Sequence, residues 1–236
     1  MTRTIVAVLA LAAVAGCAGS SGAAGGVQVA DPDLGRLGPS QMAPVEEARH
    51  FVSSARDELA RASLRLQDSQ PEAELAKADQ VAASADAERA EAEAKAANES
   101  RDPAQLERAR QLREQARLHK LAADAHVDFA GHLNEANKAS VDAANKQVEL
   151  ANARLEWAKL TALQQANIPA ATKYDAGKFQ GRVADAQKKF DGSLKHAREL
   201  YGQATASQQR WQDAQRELQA NGGGTAVPTG SGVGSR

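Results

Sequence analysis

Small and apolar residues recur along most of this chain at alternating steps of three and four. Between Pro103 and Ile168 the series runs Leu118, Ala122, Ala125, Phe129, His132, Ala136, Ala139, Ala143, Lys146, Leu150, Ala153, Trp157, Leu160. That spacing is a heptad seam, and it predicts one helix of roughly 65 residues, about 95 Å long at 1.5 Å per residue. No proline interrupts the run, and Gly131 is its only glycine. Asp102, Pro103 and Gln105 supply an entry signal of N-cap acid, N1 proline and N3 amide. Pro169 ends the run by disfavouring the helical conformation at Ile168. A second series, Leu133, Ala144, Ala151, Leu155, Ala158, Ala162, lies beside the first. A helix with two small-residue faces suits a place between two partner helices.

Both flanking stretches carry seams of the same kind. The first runs Val45, Ala48, Val52, Ala55, Leu59, Ala62, Leu66, Ser69 and continues in register from Ala73 to Ala97. Pro71 interrupts it and either kinks or breaks the helix; Ser69-Gln70-Pro71-Glu72 also reads as a capping box. The preserved phase favours one kinked rod. The last seam runs from Ala176, Phe179 and Val183 to Trp211, Ala214 and Leu218. Thr172 with Asp175 is its capping-box start and Asn221-Gly222 its end. The expected fold is all-α: a long antiparallel three-helix coiled-coil rod, up-down-up, with helices at about 44–99, 103–167 and 172–220. Turns centred near residues 101 and 170 place the seams in three-membered layers. These are Trp157 with Val45 and Val183, Leu150 with Val52 and Phe190, Ala143 with Leu59 and Ala197, Ala136 with Leu66 and Ala204, and Phe129 with Ala73 and Trp211. Gly181, Gly192 and Gly202 are expected to admit a neighbouring helix or to soften the rod.

Composition sharpens this picture. About a fifth of the residues are alanine and 3% are aromatic, too few large apolar side chains to fill a compact core. The layers are thin, so self-association or a protein partner is expected to contribute to stability. Lys and Arg number 29 against 30 Asp and Glu, interspersed, which gives no ground for a nucleic-acid partner.

The first residues have a different logic. Arg3 precedes an apolar run from Ile5 to Gly16, too short to span a bilayer of about 30 Å. This is the layout of a signal peptide, residues 1–16. The run ends Val14-Ala15-Gly16-Cys17, which resembles the lipobox of bacterial lipoproteins, and Cys17 is the only cysteine in the chain. The resemblance implies cleavage before Cys17 and acylation of its thiol and new amine, hence a membrane anchor. Ala18 follows where the usual inner-membrane retention signal has aspartate. The resemblance therefore implies the periplasmic face of an outer membrane, if the source has two membranes. Residues 17–41 read as the lipidated cysteine and a flexible linker, and 221–236 as a disordered tail. The segments Pro71–Ala78 and Leu106–Ala116 resemble a loosely defined family of alanine-rich envelope lipoproteins of unknown function.

Candidate chemistry is sparse. His119 and His126 lie seven apart, Asp128 and His132 four apart, but bundle metal sites need Glu-x-x-His from two helices. Only Glu47-Ala48-Arg49-His50 fits, so no metal, cofactor or catalytic residue is assigned. Gln80, His132 and Lys146 are polar seam positions that fix register. Trp157 and Trp211 are expected in the core. The chain ends Ser235-Arg236, without the terminal lysine through which the major murein lipoprotein joins the wall. The expected function is a lipid-anchored, non-catalytic envelope scaffold; the alternative is a periplasmic adaptor or a chaperone holding protein clients.

Overall fold

The computed structural model describes residues 28–221. In chain order it holds a one-turn helix α1 (Asp31–Leu34), then α2 (Pro39–Ser100) and α3 (Pro103–Gln165). A 3-10 turn (Pro169–Lys173) and α4 (Ala176–Ala220) follow. The all-α, up-down-up arrangement is the one its periodicity predicts. At 1.5 Å per residue α2 and α3 are each about 93 Å long.

The turns are tight because their residues suit them. Only Arg101 and Asp102 separate α2 from α3; Arg101 takes φ 55°, and Asp102 Oδ1 accepts from the Ala104 amide at 2.9 Å. At the other end Asn167 takes φ 53°. The Asn167 amide donates to Gln164 and the Ile168 amide to Leu163, each at 3.0 Å. This is a Schellman ending with asparagine at the left-handed position.

α3 is the shared helix. Ala151, with Val148 and Leu155, packs on Val52 and Ala55 of α2. Leu150 and Ala153 pack on Ala186, Val183 and Phe190 of α4. At 100° per residue the midpoints of these two α3 sets are about 160° apart. The flanking helices therefore lie on nearly opposite sides of α3, and neither packs extensively on the other. This corrects the three-membered layers. The expected heights hold, since Phe129 stacks on Trp211 with ring centroids 5.4 Å apart and Ala143 meets Ala197. The α2 members, however, meet a different α3 face, one residue further round. Val52 packs on Ala151 rather than Leu150.

Other expectations need correction. α2 starts at Pro39 and runs unbroken through Pro44 and Pro71. The seam on either side of Pro71 is buried at Ser69 and Ala76, and that packing outweighs one missing backbone bond. α4 starts at Ala176, not Thr172. Asp175 is its N-cap, accepting from the Gly177 and Lys178 amides, while Thr172 donates to Pro169 within the 3-10 turn. A Cβ at Gly177 would meet that Asp175 oxygen at 3.2 Å. Residues 28–41 are not a flexible linker: Val29 and Leu34 are buried. Averaging over the glycines and prolines of this stretch hides those two apolar anchors. Trp157 joins the cluster at the α3–α4 turn rather than a layer with Val45. Of the expected tail, residues 221–236, Asn221 is the C-cap of α4, and residues 222–236 lie outside the described residues.

Gly181, Gly192 and Gly202 admit no neighbour, because a Cβ at each would meet nothing within 4 Å. They face solvent and only weaken the helix. Replacing each by alanine should therefore stabilise the protein by about 0.5–1 kcal/mol, measured as a rise in the urea midpoint at constant slope. A fall would mean that these positions need the missing Cβ.

Candidate functional site

Three zones follow one another along the rod. At the base, the residues before α2 form a strap. The Val29 amide donates to Glu156 Oε2 of α3 at 2.8 Å. The Ala30 amide donates to the Tyr174 hydroxyl at 3.0 Å, and that hydroxyl donates to Asp33 Oδ2 at 2.9 Å. Glu156 also holds Lys159 at 2.9 Å; both side chains are little exposed, and Lys159 reaches Asp31 at 3.5 Å. Beneath these bonds Val29, Leu34, Leu160, Leu163, Ala171 and Phe179 make one apolar cluster. The strap thus closes the end of the rod where α3 turns into α4.

The middle zone is a junction at which α3 grips both neighbours. Asn137, 4% exposed, donates to the Arg65 carbonyl of α2 at 3.2 Å and accepts from Tyr201 Oη of α4 at 2.6 Å. One amide therefore bridges three helices. Ser207 is buried; its Oγ lies 2.8 Å from His132 Nδ1 and accepts from Arg210 at 2.9 Å. His126 lies 2.8 Å from Glu72 of α2, while its ring stacks on Trp211 of α4 at 4.1 Å. His119 has Asp79 and Asp86 of α2 at 3.3 and 3.2 Å, one on each ring nitrogen. Carboxylates only accept, so both contacts are hydrogen bonds only when each nitrogen carries a hydrogen.

Of the polar seam residues read from the pattern, Gln80 and His132 bond across helices. Gln80 donates to Asp124 of α3 at 2.8 Å. Lys146 does not; it turns out to Glu149 of its own helix at 2.9 Å. Asn137 was missed because it replaces a small residue in the second α3 series, between Leu133 and Ala144. The seven-residue step from Ala130 through Asn137 to Ala144 was the available signal. His50 and His196 are exposed on separate helices.

Among the described residues the far zone is a hairpin of α2 and α3. Since Trp211 stands beside Phe129, Ala220 lies near residue 120, and α3 continues for about 25 Å beyond α4 at 1.5 Å per residue. Continuing the α4-facing seam towards the turn gives Gln115, Gln111 and Arg108, so α4 stops where the seam becomes polar. Ala94, Ala97 and Ala109 hold the hairpin together, with Arg113 on Glu91 at 3.1 Å.

Cys17, the one residue assigned a covalent role, lies outside the described residues. Among those residues no helix is long and apolar enough to cross a membrane, and no three potential metal ligands gather. No protein-family model, curated protein or solved structure matches this chain.

Asn137→Ala leaves the Tyr201 hydroxyl without its acceptor and should cost about 1–3 kcal/mol in chemical denaturation; a change near zero would show that the bridge is unimportant. The Gln80 amide holds the Asp124 carboxyl below the usual carboxylate range, Lys120 adding to it and partial burial opposing. Its stabilising contribution is therefore present above the unfolded pKa and lost as pH falls through the depressed folded value. Gln80→Leu should raise the Asp124 midpoint in an NMR titration of its carboxyl carbon, and an unmoved midpoint would refute the assignment.

Proposed function

We propose that this chain is a lipid-anchored, non-catalytic scaffold of the bacterial cell envelope. In this reading it is acylated at Cys17 and, with Ala18 following, held at the periplasmic face of the outer membrane. The strap is the observation that carries the reading. It ties the chain at Val29 to the base of a rod about 93 Å long. Residues 18–28 alone then separate the acylated cysteine from that tie, a reach of at most about 40 Å. A leash that short transmits position, which is what a spacer or scaffold requires. Asn137, His132 and Gln80 hold α3 to its neighbours, a structural use of polar side chains that supports the scaffold reading.

Metabolic labelling with an alkyne palmitate, comparing wild type with Cys17→Ala, tests the anchor. The variant should lose both the label and its place in the membrane fraction. Equal labelling of the two would defeat the reading.

A further inference from the structure

The outer face of α2 carries a second seam, directly opposite the one buried on α3. Ala60, Leu64, Pro71, Leu75, Ala78 and Ala82 follow one another at steps of four, seven, four, three and four, with Asp68 in the gap between Leu64 and Pro71, and all are exposed. Leu64 is 58% and Leu75 63% exposed, with Val81 beside them at 69%. Within the rod, faces of this composition are covered: α3 has two and each holds a helix. The outer face of α4 differs, with Asp185, Lys188, Lys195, Glu199 and Asp213 among glycines. The layer of three helices therefore has one apolar edge and one polar edge.

We infer that the outer face of α2 binds the same face of a second copy of this chain, antiparallel, about a two-fold axis near residue 73. The charges at the ends of the seam support that occupant and that direction. Asp57 lies before the seam and Arg89 after it, equally far from the axis. Both are exposed. Antiparallel docking sets Leu64 against Ala82 of the second copy and Pro71 against its Leu75. It also sets Asp57 against Arg89 of the second copy, a pair that occurs twice. A parallel pair would set Asp57 against Asp57 and Arg89 against Arg89. The polar α4 edge cannot match this face, so the assembly closes at two copies and does not extend as a filament. The contact, about 50 Å by 10 Å, covers about 500 Å² on each copy. A total of about 1,000 Å² is the lower edge for a specific interface, so the dimer is concentration-dependent.

The test uses the full chain carrying Cys17→Ser, so that introduced cysteines stand alone. Sedimentation equilibrium should show a monomer–dimer exchange. Leu75→Glu should weaken it at least tenfold with helical dichroism unchanged. Asp57→Arg should also weaken it, and adding Arg89→Asp should restore it. Under mild oxidation, Leu64→Cys mixed with Ala82→Cys should form a disulfide, whereas Leu64→Cys alone should not. A monomer at every concentration, an assembly larger than two, a dimer indifferent to Leu75→Glu, or self-crosslinking of Leu64→Cys would each overturn the proposal. This test does not involve acylation, so its failure would leave the anchor reading standing.

Discussion

Close approach of alanine-lined faces on α3 is the constraint on which the rest of the structure depends. An alanine seam buries little area per turn, but it allows helix axes to approach the short end of the usual 8–10 Å range. Dispersion contacts then accumulate over many turns. Because the two faces of α3 are nearly opposed, α2 and α4 are held to α3 and not to each other. The body is a flat layer, with more surface than a closed bundle of the same three helices would expose, because neither α2 nor α4 covers the other.

Specificity in such a layer cannot come from shape alone. Alanines repeated every few residues would tolerate a slip by a whole heptad. The buried Asn137 amide, the His132–Ser207 contact and the Gln80–Asp124 bond resist that slip, because each is satisfied in one register. Larger side chains gather where the layer ends, in the base cluster of Leu160, Leu163 and Phe179 and in the Phe129–Trp211–His126 stack. In the pair inferred above the two bases point in opposite directions, so the N-terminal segments leave from opposite ends.

Much of this was legible from residue spacing. The three seams, both turns, the Asp102 cap and the pairing of Phe129 with Trp211 follow from periodicity and turn chemistry. The layer geometry did not, because spacing along the chain marks both α3 series without saying which partner helix each one covers. The strap escaped because only Val29 and Leu34 anchor it, inside a stretch whose glycines and prolines dominate any average. Asn137 escaped because a single amide in a seam of alanines looks like an exposed residue until both its partners are in place. Cys17 rests on its motif alone.

The strap also decides how the rod meets force. Without it, tension on the N-terminal side would pull at Pro39 and peel α2 from α3 one turn at a time. With it, the pull reaches the bonds of Val29 and Ala30 and the buried side chains of Val29 and Leu34 first. These contacts must yield together before the first turn of α2 carries any strain. A segment of about ten residues thus takes the load before the long α2–α3 seam does.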